Sequence, residues 1–312
     1  MWWKHWGFAS LLPAVALILG CGGGEGVVTS DTRPVVVTSI FPIGDLARQI
    51  AGELARVEVL LPSGASPATF DVTPRQLQDL EGAVLFFMIG GGLDEWVSHF
   101  PEASGGRAPV VRLSDGIALR AEEDEGEVEE DHGHDHGSGN PHIWLDPILV
   151  RDRILPHLEE GLRGAFPNQA ELIRHRTDDL ADSLTALDEE IREELRPLTN
   201  RAFITTHSAW TYFAARYDLE EAGVIHASPG QEPSSRALAA LLDVARARGI
   251  KCLFTEPQLG AVAARALATE LSLPTCMLDP LGGPEVQDRG GYFQLLRFNT
   301  QQLVMGLGGS GS

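Results

Sequence analysis

Short apolar runs alternate with helix-like segments in the first part of the chain. Val35–Val37 and the run 83–89 are continuously apolar, and the run 57–61 is apolar except for Glu58. Ile43–Ile50 and Thr73–Leu80 instead mix apolar and polar residues as a surface helix does. Continuous apolar runs are typical of parallel strands buried on both faces. The pattern therefore predicts a lobe of βα units with a parallel sheet.

The same alternation returns after residue 200. Strand-like and helix-like segments alternate in the ranges 201–206, 208–217, 237–248, 252–255, 261–271 and 275–278. Two such halves predict an α/β protein with two βα lobes. Roughly 280 residues follow the N-terminal region, more than one ordinary core holds, which also favours two lobes. A binding site in the cleft between the lobes is then expected.

A long amphipathic helix is predicted between the halves, from Gln169 to Leu195. Its apolar positions recur mainly at spacings of three, four or seven; they are Leu172, Ile173, Leu180, Leu184, Leu187, Ile191 and Leu195. At about 1.5 Å per residue such a helix is about 40 Å long. We interpret it as one rigid helix that joins the lobes, the alternative being a surface helix of one lobe.

The N-terminal region resembles a lipoprotein signal. The apolar stretch Phe8–Leu19 follows Lys4 and is too short to span a bilayer. It ends in Ile18-Leu-Gly-Cys21, where Cys21 would carry the lipid; a plain secretory signal or a buried helix are the alternatives. The predicted divisions are a signal peptide (1–20), an anchored tether (21–32), an N-terminal lobe (33–168), the linking helix (169–196), a C-terminal lobe (197–305) and a flexible tail (306–312).

Charge and composition narrow the class of ligand. The net charge of −20 argues against nucleic acid, whose phosphates require Lys and Arg. The segment 122–139 is almost entirely acidic, Gly or His, so a mobile loop is predicted. It contains His132, His134 and His136, which favour a metal-collecting tract over a merely solvated insert.

The two remaining cysteines are Cys252 and Cys276, both in strand-like runs. Two buried free thiols and one disulfide are both compatible with that pattern, and an oxidising compartment would permit the disulfide.

Three residues are candidate metal ligands. His142 comes just before Asp146-Pro147, a strong helix start. His207 and Asp279 each follow a predicted strand, at the sheet edge where α/β proteins bind ligands. Two imidazoles and one carboxylate suit zinc, although a closed zinc site takes four ligands.

Seven motifs resemble the solute-binding proteins of zinc and manganese ABC importers. They are Ser39–Pro42, Gly64–Phe70 with Thr73-Pro74, Asn140–Pro147, Thr206–Phe213, Gln231–Ser234, Phe254–Gln258 and Leu278–Leu281. The resemblance implies two βα lobes bridged by one rigid helix, a metal held between them, and delivery to a membrane permease. The metal ligands of that family match here at His142, His207 and Asp279. Members that carry manganese tend to have Glu where this chain has His207, so zinc is favoured.

One ligand position departs from that family. Its phrase Gly-Ala-Ser-Pro-His here ends in Ala68, which cannot coordinate a metal. A water or chloride could complete the site, Asp71 or a loop histidine could reach in, or tight binding could be lost. We favour the first two explanations.

The predicted function is an extracytoplasmic, lipid-anchored, monomeric zinc-binding subunit that is not an enzyme. Its partners would be an ABC permease with its ATPase, and it would meet the membrane only through the anchor. A manganese carrier, a zinc-dependent hydrolase with an open ligand position, and a cell-surface adhesin or metal buffer are the alternatives. The chain has no His-Glu-x-x-His motif, which weakens the hydrolase hypothesis.

Overall fold

The computed structural model describes residues 31–73, 76, 82–99, 108–121, 139–226 and 233–308. Cys21, the three loop histidines and most of Thr73–Leu80 therefore lie outside the described residues. The chain divides into two units, Met1–Thr32 and Arg33–Ser312, and all of the described strands and helices belong to the second.

Two four-stranded parallel sheets form the framework of this unit. The first has the order β2-β1-β3-β4 and the second the order β6-β5-β7-β8, so the same winding occurs twice. The strands are β1 Val35–Thr38, β2 Arg56–Val59, β3 Ala83–Met88, β4 Val110–Arg112, β5 Ala202–Thr205, β6 Glu220–Val224, β7 Leu253–Thr255 and β8 Thr275–Met277. The predicted α/β class with parallel sheets is confirmed.

Helices connect and flank the strands. Those described are α1 Phe41–Ala51, α2 Pro147–Leu149, α3 Leu155–Ala165, α4 Ala170–Leu195, α5 Thr211–Arg216, α6 Ser235–Arg248, α7 Val262–Leu271 and α8 Tyr292–Gly308. A wider turn, Val150–Ile154, joins α2 to α3. Among these described helices, each is too short or too polar to cross a membrane.

The long helix predicted between the halves is confirmed as α4. It packs against α1, α3 and α8, and its buried apolar side chains belong to a core cluster that includes residues of both sheets. Leu172 is the exception to the predicted apolar face, because it is 40% exposed while Ile173 is buried. Neighbouring positions on a helix point about 100° apart, so only one of the two can face the core.

Two strands and the last helix were not predicted. β4 has only three residues, and β6 begins with Glu220-Glu221, which reads as polar surface. Helix α8 continues to Gly308, into the segment predicted to be a flexible tail. Gly306 explains this continuation, since a Cβ there would lie 2.5 Å from the Phe254 ring, and the helix end packs closely on the second sheet.

The structure joins Cys252 and Cys276 in a disulfide, with the two Cα atoms 6.1 Å apart. Cys252 immediately precedes β7 and Cys276 lies in β8, so the bond ties these neighbouring strands together. Of the two states left open by the sequence, the structure has the disulfide.

Candidate metal site

The first candidate ligand, His142, is held by Asn140. The Asn140 side-chain Oδ1 accepts a hydrogen bond from the His142 backbone N–H at 3.0 Å and lies 2.9 Å from the ring Nδ1. The Asn140 Nδ2 donates to the Ser208 carbonyl and to Thr211 Oγ1. The Tyr212 hydroxyl donates to the Asn140 carbonyl at 2.8 Å. Asn140 thus fixes the orientation of His142 and attaches its turn to the segment after β5.

The helix start after His142 is formed as predicted. The Asp146 Oδ1 accepts hydrogen bonds from the backbone N–H groups of Ile148 and Leu149, and Pro147 is the first helical residue. Arg216 forms an ion pair with the same carboxylate at 2.8 Å. Because the carboxylate of Asp146 is used in this way, it supports the turn that carries His142 and is not oriented toward a metal.

The second candidate ligand, His207, stands at the topological switch point of the second sheet. It follows β5, and Glu256 follows the neighbouring strand β7, so both residues lie at the carboxyl ends on either side of this point. Ligands of α/β proteins bind at such crevices. The His207 Nδ1 lies 2.7 Å from the Glu256 Oε1, and the carboxylate is buried.

The two imidazoles face each other through their Nε2 atoms, which are 3.2 Å apart. Each Nδ1 is next to an oxygen acceptor, on Asn140 or Glu256, so each Nδ1 carries the proton and each Nε2 presents a lone pair. Two lone pairs at this distance repel unless a cation or a proton lies between them. Two tetrahedral ligands with Zn–N distances of about 2.0–2.1 Å would be separated by about 3.3 Å. The pair therefore has the spacing and lone-pair direction of two zinc ligands.

Burial disfavours a proton as the group between the rings. It lowers the pKa of His142 well below the usual histidine value, and the positive charge that His207 would carry lowers it further. A metal cation with directional nitrogen affinity fits this neutral pair better than a proton does.

The third candidate ligand, Asp279, is buried in a network of donors. Its Oδ1 accepts hydrogen bonds from Gln258 Nε2 at 2.8 Å and from the backbone N–H groups of Leu281 and Gly282 at 3.0 Å. Its Oδ2 forms an ion pair with Arg289 at 2.7 Å. Across the described ranges, no three His, Cys, Asp or Glu side chains form a cluster that could hold a metal. The structure thus brings His142 and His207 together, while Asp279 is engaged by Arg289.

Ala68, the position at which the family phrase has a histidine, is exposed. Ala68 lies in the short helical turn Pro67–Thr69, and Asp71 follows it as another exposed residue. The loop that precedes Ala68 packs against the loop that follows Asp279. Ser63 lies so close to Gly283 that a Cβ at position 283 would be only 2.2 Å from the Ser63 Oγ. The auxiliary role predicted for Asp71 stays a prediction, and the loop histidines lie outside the described residues.

A second carboxyl group lies near His207. Glu221 accepts hydrogen bonds from Thr205 and Thr211. Burial raises the pKa of Glu221 to about 7, and the negative charge of Glu256 adds to this effect, while His207 opposes it. A carboxyl with this pKa exchanges its proton near neutral pH.

Sequence reasoning did not predict the roles of Asn140, Glu256 and Arg289. Glu256 could have been found, because it follows a predicted strand as His207 and Asp279 do. Asn140 and Arg289 lie in irregular segments, where only the folded chain shows their partners.

Known proteins resemble the chain over most of its length. Residues 36–306 match the model of the family described as zinc-uptake complex component A, periplasmic. The high-affinity zinc uptake system protein ZnuA of Bacillus subtilis is 29% identical over 311 residues, which cover 96% of this chain and 97% of the relative. The zinc-binding lipoprotein AdcA of Streptococcus pneumoniae is 25% identical over 88% of this chain, but the match spans only 56% of AdcA.

Solved structures agree with this likeness. A crystal structure of a zinc-bound deletion mutant of ZnuA superposes with a TM-score of 0.75 at 27% identity, over 88% of this chain and 98% of that one. The family match covers both sheets, the long helix between them and all three candidate ligands. The chain belongs to the zinc-uptake complex component A family of extracytoplasmic solute-binding proteins.

Proposed function

We propose that this protein captures zinc outside the cytoplasm and delivers it to an ABC permease and its ATPase. His142 and His207 bind the ion through their Nε2 atoms, and Asp279 is a third, conditional ligand. The supporting observation is the 3.2 Å separation of two Nε2 lone pairs, each directed by an acceptor on the opposite ring nitrogen.

Glu256 has a positioning role in this proposal. Its carboxylate holds the His207 Nδ1–H and thereby keeps the Nε2 lone pair directed at the ion. The negative charge also makes the imidazole a stronger donor toward zinc, as outer carboxylates do in other zinc sites.

The acidic, His-bearing segment 122–139 is proposed to collect zinc weakly and raise its local concentration.

We also propose that Cys21 carries a lipid anchor, that the protein acts as a monomer, and that it performs no catalysis. The names of the relatives support zinc as the cargo, since ZnuA is a zinc uptake protein and AdcA a zinc-binding lipoprotein.

The test is a competition titration of the purified protein with zinc against a chromophoric chelator, repeated with manganese. One tight zinc equivalent with weaker manganese binding is the expected result. A protein without a tight zinc equivalent, or with tighter manganese than zinc, would contradict the proposal. Deleting residues 122–139 should remove only the weak additional equivalents.

A further inference from the structure

Arg289 holds the carboxylate of Asp279 in an ion pair that is largely withdrawn from water. Its Nη1 lies 2.7 Å from the Asp279 Oδ2, and the two side chains are 16% and 3% exposed. A metal ion that uses Oδ2 would therefore meet a guanidinium already bound to that atom. Two cations at one carboxylate oxygen repel strongly when little water screens them.

The surroundings keep the guanidinium in place without satisfying all of its donors. Its Cζ lies 4.7 Å from the centre of the Phe298 ring, and Nη1 is 3.4 Å from the Met277 sulfur. Arg289 Nε is buried without a hydrogen-bond partner, which is unfavourable for a cationic donor. The ion pair with Asp279 is thus the principal polar interaction of this side chain in the described part of the chain.

The loop after Asp279 is built to present Arg289 to it. Gly282 has a φ of +65° and Asp288 a φ of +61°, two left-handed positions that let the chain turn back on itself. The Arg289 carbonyl accepts a hydrogen bond from the Gly283 N–H at 3.2 Å, and its own N–H donates to the Val286 carbonyl. A Cβ on Gly282 would lie 2.7 Å from the Arg289 carbonyl oxygen, so glycine is required there. The position of Arg289 is therefore fixed by the backbone.

We propose that Arg289 is a specificity-determining residue that makes the use of Asp279 by a metal conditional on displacing a guanidinium. This inference rests on the proposed function of the same site. Zinc obtains much of its affinity from imidazole nitrogen, so it can bind His142 and His207 even when Asp279 is engaged. Manganese depends more on carboxylate oxygen and loses most when Arg289 occupies it. Arg289 thus raises the preference for zinc over manganese.

The test replaces Arg289 with Met and measures zinc and manganese affinities of the whole protein by chelator competition. Arg289→Met should raise manganese affinity at least about 10-fold, because a buried charge near the ion is removed. Zinc affinity should rise less, so the ratio of zinc to manganese affinity falls. An unchanged or increased ratio would overturn the proposal. Adding Asp279→Asn to Arg289→Met should cancel the gain for manganese, and a persistent gain would also overturn it.

Arg297→Met is the matched control, since Arg297 lies on α8 and pairs with Glu190 at 2.8 Å. It should leave the affinity ratio at the wild-type value, and an equal fall in this variant would assign the effect to net charge alone. If circular dichroism shows that Arg289→Met is unfolded, Arg289→Gln and Arg289→Lys replace it. Arg289→Gln should lower the ratio of zinc to manganese affinity, whereas Arg289→Lys should preserve it. Equal affinity ratios in these two variants would refute the proposal. A wild-type protein without tight zinc binding would contradict the proposed function, whereas the change on replacing Arg289 tests this inference separately.

Discussion

The Nε2 atoms of His142 and His207 lie 3.2 Å apart although the two residues are 65 positions apart in the chain. Asn140 orients the His142 ring and Glu256 orients the His207 ring, because each accepts the Nδ1 proton of that ring. The two acceptors come from different parts of the chain, one before α2 and the other after β7. The orientation of the two proposed ligands thus depends on two residues, Asn140 and Glu256, that are not proposed as ligands.

Loss of either imidazole should abolish tight zinc binding. His142→Ala and His207→Ala should each lower zinc affinity by more than about 100-fold, since even outer-shell partners of zinc ligands contribute about 10–100-fold. Chelator competition measures the change. His175→Ala is the control, because His175 is exposed on α4 and pairs with Asp179. Equal affinities of His207→Ala and His175→Ala would contradict the assignment of the site.

Glu256→Gln should lower zinc affinity by about 10–100-fold while the protein remains folded. The amide keeps the size of the side chain but lacks the negative charge that orients and polarises His207. The same substitution in a His207→Ala background should have little further effect, because Glu256 acts through that ring. Additive losses in the double variant would indicate that Glu256 acts on the ion directly.

Ala68→His should preserve or strengthen zinc binding, since it restores the imidazole found at this position in the family phrase. The exposed turn Pro67–Thr69 accommodates a larger side chain without disturbing the core. Titration against a chelator of higher affinity measures the gain. Weaker binding by Ala68→His would show that another group already completes the site.

The sequence was sufficient to predict the architecture because hydrophobic periodicity reports burial. The runs that became β1, β3 and β5 are continuous and apolar, and α4 repeats its apolar positions over 26 residues. β6 was missed because it begins with two glutamates and contains a glycine, so it has no apolar run, and its first residue, Glu220, is exposed. Periodicity identifies elements that bury apolar side chains and overlooks those held mainly by backbone pairing.

The site was predicted only in part. Strand ends pointed to His207 and Asp279 because parallel strands place their carboxyl ends at one edge of a sheet. The ion pair between Arg289 and Asp279 depends on a loop with two left-handed residues, a geometry that spacing in the sequence does not encode. The sequence therefore indicated candidate ligands at the sheet edge, whereas the partners that already engage Asp279 are seen only in the folded structure.

Removing the disulfide should destabilise the protein without unfolding it. Replacing both Cys252 and Cys276 with Ser should lower the free energy of unfolding by about 3 kcal/mol, because the bond closes a loop with a sequence separation of 24 residues. Urea denaturation measures the change. In excess reductant, the urea midpoint of the wild-type protein should fall toward that of the variant. Identical midpoints of the variant and the oxidised wild type would contradict a stabilising disulfide.

Glu221 should make the protein less stable as pH rises toward neutrality. Its pKa is about 7 in the folded protein against an ordinary value of 4.5, so between these values the folded state keeps a proton that the unfolded state releases. The contribution of Glu221 to the free energy of unfolding is therefore fully present below about pH 4.5 and is lost as the pH rises through about 7. Glu221 is only partly withdrawn from water, so solvent screening reduces the effect of this pKa difference and we expect a loss of about 2 kcal/mol.

Glu221→Gln should remove this loss, because the amide resembles the protonated carboxyl and still bonds Thr205 and Thr211. Urea denaturation from pH 4.5 to 8, with chelator present, should show the variant gaining on the wild type as pH rises. Glu190→Gln is a control of opposite sign, since Arg297 lowers the pKa of Glu190 and its contribution is lost as pH falls. Parallel stability curves for wild type and Glu221→Gln would show that the Glu221 carboxyl titrates alike in both states.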